Sequence, residues 1–296
     1  MAIKKVGVVG CGLMGHGIAQ VAAQGGCTVV VVETEQKFLD SGLARIDKSL
    51  AKLADKAIEK GAPADQAKKQ SADVRARITG SLDRKSLADC DLVVEAIVEN
   101  LDVKKQLFAE LGKLCKKETI FASNTSSFPI AAMAAASGRP SQFVGLHFFN
   151  PVQLMKLVEV VRTNETKDEV FAQARAFGEA CGKVAIGCKD TPGFVVNRLL
   201  VPYMSQALQM LERGDATAAD IDTAMKLGCG YPMGPVELTD YVGLDTTLFI
   251  LQGWVKTYPN EPAFKIPACL EKKVKEGKLG RKTGEGFYKW EGDKKQ

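Results

Sequence analysis

Two repeats of apolar positions alternate over roughly the first two-thirds of the chain. Ile3 to Val9 is a short apolar run ending in glycines, and Cys27 to Val32 is a second, β-branched one. Between them Ile18, Val21 and Ala22 recur at helical spacing. Phe38, Leu39, Leu43, Ile46, Leu50 and Leu53 form one stripe of a long helix, which Gly61-Ala62-Pro63 stops. Its other face is basic, carrying Arg45, Lys48, Lys52 and Lys56. Further strands are predicted at Leu92–Ala96, Thr119–Ala122, Phe143–His147, Leu157–Val161 and Val184–Ile186, with helical stretches such as Val103–Cys115 between most of them. Alternation of this kind implies a mainly parallel sheet covered on both faces, because parallel crossovers need a covering helix.

The pattern changes near Lys189-Asp190-Thr191-Pro192-Gly193. Beyond it the periodicity is helical and almost free of strands: Val195 to Met210 has a long apolar face, and Thr217-Ala218-Ala219-Asp220 has the form of a helix-starting box. The predicted fold class is α/β, a doubly wound, mainly parallel sheet over residues 1–188 followed by a smaller all-α domain over 189–296.

Composition narrows the function without naming it. The 296 residues are 46% hydrophobic and 25% charged, ordinary values for a soluble globular protein. No apolar stretch approaches the roughly 18 to 20 residues of a membrane-spanning helix, so no membrane partner is expected. The opening Met1-Ala2-Ile3-Lys4-Lys5 has a charged lead but no apolar core and no cleavage site, and a cytoplasmic location is expected. A net charge of +5 with no dense basic block argues against nucleic acid. Eight cysteines contain no C-x-x-C pair and only two histidines occur, so reduced thiols and no metal site are expected.

Gly10-Cys11-Gly12-Leu13-Met14-Gly15 is a G-x-G-x-x-G that follows a predicted strand and opens a predicted helix. The glycines allow the tight turn and the close approach of backbone to a pyrophosphate, and the helix N-terminus offers free N–H groups. This is the Rossmann dinucleotide arrangement. The second strand ends at Glu33, where a carboxylate can accept both ribose hydroxyls and would repel a 2′-phosphate; Thr34 follows, not an arginine. NAD is therefore the expected cofactor.

Oxidising an alcohol by hydride transfer needs a base for the hydroxyl proton. Histidine suits the task, and only His16 and His147 are available. His16 lies in the first turn of the dinucleotide helix, facing solvent or phosphate. His147 ends a strand, where ligands sit in a parallel sheet. The next strand, Leu157-Val158-Glu159-Val160-Val161, puts an acid among apolar neighbours, which is costly unless it is paired. If the two strands are adjacent, Glu159 can hold the second imidazole nitrogen. The alternative is a buried histidine bonded to backbone, with Glu159 on a wet face.

Ser123-Asn124-Thr125-Ser126-Ser127, Gly145-Leu146-His147-Phe148-Phe149-Asn150-Pro151 and Asp190-Thr191-Pro192-Gly193-Phe194-Val195-Val196-Asn197-Arg198 resemble signature segments of the L-3-hydroxyacyl-CoA dehydrogenase family, which includes 3-hydroxybutyryl-CoA dehydrogenases. So do Val94 to Asn100, Tyr231 to Pro235 and Gly280 to Tyr288. The resemblance runs from the first strand to the last residues, in order. It implies His147 as general base with Glu159 as its partner, and Ser126 and Asn197 as hydrogen-bonding groups for the reacting oxygen or the imidazole. It places Glu99, Lys104 and Asn150 at the nicotinamide end of the cofactor site, alongside the loop residues Gly10, Gly12, Leu13, Met14 and Gly15 and Glu33, and brings Ser126 and Lys282 to the cofactor as well. Ser49 and Lys56 on the basic-faced helix match positions that contact CoA. The implied substrate is an acyl-CoA, short-chain 3-hydroxybutyryl-CoA or acetoacetyl-CoA, entering between the domains, and the implied assembly is a homodimer through the helical domain.

Two other readings stay open at this point. One is an NAD-dependent dehydrogenase of a free hydroxy or sugar acid; the other is a non-catalytic NAD-binding relative. The basic helix favours a CoA ester, and the intact Ser126, His147, Glu159 and Asn197 set favours chemistry.

Overall fold

The computed structural model describes residues 3–296. The chain divides into two compact units, Met1–Phe194 and Val195–Gln296. The boundary expected at 188 falls inside the last strand of the first unit, which ends at Lys189.

The first unit contains strands β1 (Lys5–Val9), β2 (Thr28–Val32), β3 (Ile78–Ser81), β4 (Leu92–Glu95), β5 (Ile120–Ser123), β6 (Phe143–Phe148), β7 (Leu157–Arg162) and β8 (Val184–Lys189). Its α-helices are α1 (Gly15–Gln24), α2 (Gln36–Glu59), α3 (Ala64–Ala76), α4 (Leu101–Leu114), α5 (Ile130–Ala136) and α6 (Asp168–Ala180). The strands form one eight-stranded sheet in the order β3-β2-β1-β4-β5-β6-β7-β8. The chain starts in the middle, winds outward to β3, then returns to β4 on the other side of β1. A crevice therefore opens beyond the carboxyl ends of β1 and β4, the place where doubly wound sheets hold ligands.

Side chains on successive strand residues point to opposite faces, and each face has its own core. Val6, Val8, Val29, Val31, Val94, Leu146 and Val160 face one apolar cluster; Val30, Val32, Val93, Phe121, Phe143 and Val161 face the other. Phe108, Phe121 and Phe143 pack as a trio, with the Phe108 and Phe143 centroids 4.6 Å apart, edge to face. The sheet is parallel except at β6–β7, which pair antiparallel. The reason is local: residues 149–156 connect these strands without a helix, and a parallel return needs a covering crossover.

The stripe expected on α2 buries Leu39, Ile46 and Leu50, with Leu43 and Leu53 at its margin, but Phe38 is half exposed. The helix ends at Glu59, and Gly61 takes φ +94° to turn the chain into α3.

The second unit holds α7 (Val196–Arg213), α8 (Ala218–Cys229), α9 (Pro235–Val242), α10 (Leu244–Thr257) and α11 (Ala268–Lys275). A small hairpin, β9 (Trp290–Glu291) with β10 (Lys294–Lys295), follows. Thr217 caps α8 as expected, its side chain accepting from Asp220 N. The unit's own core gathers Val201, Met204, Leu208, Val236, Leu251 and Trp254.

Candidate active site

The three glycines of the first loop do three different things. Gly10 sits at φ +94°, and a β-carbon there would stand 2.6 Å from Ala96 O. Gly15 lies against the loop itself, where a β-carbon would fall 1.8 Å from Gly10 O. Gly12 has nothing within 4 Å on that side. The first and third glycines thus close the turn, and the second leaves its flank open for a ligand. Leu13 is exposed and Met14 precedes α1. His16 Nδ1 lies 2.7 Å from Gly12 O, so the ring nitrogen donates to that carbonyl. Burial, helped by the neighbouring Glu33, pushes the Cys11 thiol up to about 12, so this cysteine is a neutral packing residue.

A cleft of about 860 Å³ opens beside this loop, lined among others by Gly10, Gly12, Glu33, Phe38, Arg45 and Ile97. Glu33 follows β2, and its Oε1 accepts from Cys11 N at 2.6 Å while Oε2 accepts from Thr34 N at 3.2 Å. The carboxylate is thereby held at the cleft wall beside the glycine loop. The open flank of Gly12, the free space and this fixed acceptor fit a dinucleotide whose ribose carries hydroxyls and no phosphate.

A buried ionic cluster stands at the carboxyl end of β4. Glu95 is fully buried, paired in register with Val9 on β1 and Ser123 on β5. Lys104, in the first turn of α4, is 1% exposed; its Nζ lies 2.6 Å from Glu95 Oε1 and 3.1 Å from Glu99 Oε2. Glu99 accepts from Thr125 Oγ1 at 2.5 Å, Ser127 Oγ at 3.0 Å and Ser126 N at 3.3 Å. Burial alone would raise the Glu99 carboxyl, but Lys104 and the hydroxyl donors outweigh it and hold the group below its ordinary range. Lys104, which the resemblance places at the cofactor, is thus enclosed between two carboxylates.

His147 and Glu159 face each other across β6 and β7, with His147 Nδ1 2.6 Å from Glu159 Oε2. His147 is 5% exposed and Glu159 fully buried. Antiparallel pairing in direct register is what brings a residue near the end of one strand opposite one near the start of the next. Phe149 and Phe194 flank the imidazole, at ring-centroid distances of 4.5 and 5.5 Å. Phe194 adopts φ +56°, the one positive φ outside glycine among the described residues. With Nδ1 committed to the carboxylate, Nε2 is the nitrogen left for proton transfer. The arrangement has the geometry that a base-plus-orienter pair requires.

The remaining expected site residues are placed as follows. Ser126 is half-buried in the loop after β5, joined to Glu99 through its backbone. Asn150 is exposed just after β6. Ser49 is half-buried and Lys56 exposed on α2, two turns apart and so on one helix face with Arg45 and Lys52. Asn197 stands half-buried in the first turn of α7. Lys282 forms an ion pair with Asp245 inside the second unit, at 2.5 and 2.6 Å. Sequence reasoning passed over Glu95, Ser123 and Thr125. An acid closing the apolar run Leu92-Val93-Val94 is the signal that could have found the first of them.

Fold and site together define an NAD-binding dehydrogenase architecture: a doubly wound sheet with a dinucleotide loop, and a histidine–carboxylate pair near the same carboxyl edge. The NAD-binding domain model of 3-hydroxyacyl-CoA dehydrogenases matches residues 5–191, and the C-terminal domain model of the same enzymes matches 193–290. The human mitochondrial hydroxyacyl-coenzyme A dehydrogenase is 52% identical, over 97% of this chain and 91% of that protein. A probable 3-hydroxybutyryl-CoA dehydrogenase of Deinococcus radiodurans is 49% identical over 97% of this chain and all of its own length. The crystal structure of (S)-3-hydroxybutyryl-CoA dehydrogenase from Ralstonia eutropha superposes with a TM-score of 0.92 at 39% identity, covering 98% of this chain and 100% of that one. This chain belongs to the 3-hydroxyacyl-CoA dehydrogenase family, and its cofactor is NAD.

Proposed function

We propose that this protein catalyses the NAD-dependent, reversible oxidation of (S)-3-hydroxyacyl-CoA esters to 3-oxoacyl-CoA esters, with His147 as general base. The observation that carries the reading is the 2.6 Å contact between His147 and the buried Glu159 at the carboxyl edge of an NAD-binding sheet. NAD, held by the glycine loop and Glu33, would supply the hydride acceptor or donor when bound. His147 Nε2 takes the proton of the 3-hydroxyl, and Glu159 stabilises the imidazolium that results and fixes its tautomer. In the reverse direction the protonated ring donates to the forming alcohol. Ser126 and Asn197 keep the roles the resemblance implies, hydrogen-bonding the reacting oxygen or the imidazole. Glu33 selects NAD by meeting a 2′-phosphate with like charge.

Several finer points belong to the same proposal. The substrate is short-chain, acetoacetyl-CoA or 3-hydroxybutyryl-CoA, supported by relatives that carry the 3-hydroxybutyryl-CoA name. Ser49 and Lys56 serve the CoA phosphates, supported by the basic face they share with Arg45 and Lys52. Lys282 approaches the cofactor. The protein is a cytoplasmic homodimer of fatty-acid or butanoate metabolism. The dimer is supported by an apolar groove of about 540 Å³ in the second unit, where Leu199, Tyr231 and Tyr241 are exposed.

The test is the loss of NADH absorbance with acetoacetyl-CoA, set beside free 3-oxo acids and beside NADPH. Wild type is expected to turn over the CoA ester with NADH, and His147→Ala to lose on the order of 10²- to 10⁴-fold. Turnover of free acids alone, or undiminished turnover in the variant, refutes the reading. Light scattering that gives a monomer mass refutes the dimer.

A further inference from the structure

The cluster at the end of β4 contains a charge that its hydrogen bonds do not require. Glu95 Oε1 accepts from Lys104 Nζ at 2.6 Å and from Ile97 N at 2.8 Å, and Oε2 accepts from Ser123 Oγ at 2.6 Å. A glutamine amide would serve nearly as well. Its oxygen can take the first two donors, and its NH₂ can meet the serine hydroxyl, which accepts as readily as it donates. What a carboxylate adds over its isostere is a unit of negative charge, fully buried, where an unneeded charge is costly. One ammonium, Lys104, is shared by two carboxylates, so Glu95, Lys104 and Glu99 together carry a formal charge of −1. Glu99 is the open member, its side chain 33% exposed against 0% for Glu95 and 1% for Lys104.

The position matters as much as the charge. Glu95 pairs with Val9, the residue immediately before the glycine loop, and the backbone after it, Ala96, closes on Gly10. The cluster therefore stands at the crevice where the strand order reverses. The oxidised nicotinamide ring is a cation and the reduced ring is neutral, so a fixed negative charge near that ring favours one redox form over the other.

We infer that Glu95 is a positioning residue which, through Lys104, leaves Glu99 and the crevice net negative, and so tightens binding of the oxidised cofactor relative to the reduced one. The inference rests on the reading above that Glu99 and Lys104 line the nicotinamide end. Lys104 alone would neutralise Glu99; the second carboxylate behind it restores the charge without exposing another acid to solvent.

The experiment measures Kd for NAD⁺ and for NADH, by calorimetry and by NADH fluorescence, in wild type, Glu95→Gln, Glu99→Gln and the double variant Glu95→Gln/Lys104→Met. Glu95→Gln is expected to raise the ratio Kd(NAD⁺)/Kd(NADH) by roughly three- to ten-fold, the scale of one charge felt across a partly solvated site, with little change in Tm. The double variant restores a formal −1 and is expected to return the ratio to that of wild type. A merely structural role would weaken both redox forms together, and that result in Glu95→Gln overturns the inference. A shifted ratio in Glu99→Gln with none in Glu95→Gln removes Glu95 and leaves the nicotinamide-end reading standing. No shift in either single variant removes both. Should Glu95→Gln fail to fold, a double variant whose ratio departs from wild type by the same factor overturns the inference on its own.

Discussion

Four acidic residues are buried to 1% exposure or less among the described residues: Glu95 and Glu159 in the first unit, Asp222 and Asp240 in the second. All are well bonded, yet they differ in where their partners lead. Asp240 accepts from Phe287 N and Tyr288 N, both at 2.8 Å, and from Trp290 Nε1 at 2.9 Å. Asp222 accepts from Val236 N at 2.8 Å, Glu237 N at 3.0 Å and the Tyr288 hydroxyl at 2.6 Å. Between them they fasten the closing segment to α8 and α9, and burial holds the Asp240 carboxyl above its ordinary range. Glu159 instead leads to an imidazole with a spare nitrogen, and Glu95 to a lysine whose other partner is one-third exposed. Burial is alike in the four; what differs is that Asp222 and Asp240 hold backbone, phenol and indole donors of the closing segment, whereas Glu159 touches the imidazole proposed as base and Glu95 a lysine shared with a second carboxylate.

The sharpest way to break this comparison is Glu159→Gln. If Glu159 serves the imidazole, kcat with acetoacetyl-CoA falls on the order of 10²- to 10⁴-fold while Tm moves little, since the misplaced amide disturbs tautomer more than packing. A large loss of Tm with kcat intact would put Glu159 among the structural acids. Asp240→Asn should do the opposite. Its NH₂ group confronts a donor, costing about 3 kcal/mol of stability, read as a lowered Tm with turnover preserved at temperatures where the variant stays folded.

A glycine pair extends the same contrast. Gly12→Ala is expected to leave Tm near that of wild type, because nothing stands within 4 Å, yet to raise Kd for NADH about ten-fold or more by filling the open flank. Gly15→Ala should lower Tm outright, its β-carbon meeting Gly10 O. Equal effects of the two on Tm would deny the division of roles.

The smallest effect is one of pH. The Glu99 carboxyl lies below its ordinary 4.5 when folded, so its ionised form contributes stability that is present above that value and lost as pH falls through the folded one. The Tm gap between wild type and Glu99→Gln should therefore narrow on acidification below about 4.5. A gap that holds constant would show that Glu99 gains nothing from Lys104.

Long repeats and special residues were legible in the chain; register was not. The dinucleotide loop, the long α2 stripe and the Thr217 cap all announce themselves within a few residues of sequence. His147 and Glu159 could be singled out because each sits oddly in an apolar strand, but their contact depends on β6 and β7 running antiparallel side by side. β3 went unread because Ile78-Thr79-Gly80-Ser81 is a short edge strand with one buried side chain, and α3 because only Ala67 and Val74 face the core. The Glu95–Lys104–Glu99 cluster lies within one segment, from the end of β4 through the loop to the first turn of α4, and forms only because that loop folds Glu99 back beside Lys104. The closing segment from Gly280 to Tyr288, conspicuous as a family signature, owes part of its pattern to Asp240: Gly286 has no room for a side chain beside that carboxylate.

The antiparallel step between β6 and β7 also decides which kinds of inherited change this protein can absorb. Side chains alternate faces along a strand, so one residue inserted within β7 ahead of Glu159 would turn the acid to the far side of the sheet and put an apolar neighbour opposite the imidazole. The same insertion in the connecting residues 149–156 would leave the pairing of His147 with Glu159 untouched. Length can drift in the connection; within the two strands it is locked, and only substitutions are open there to lineage after lineage.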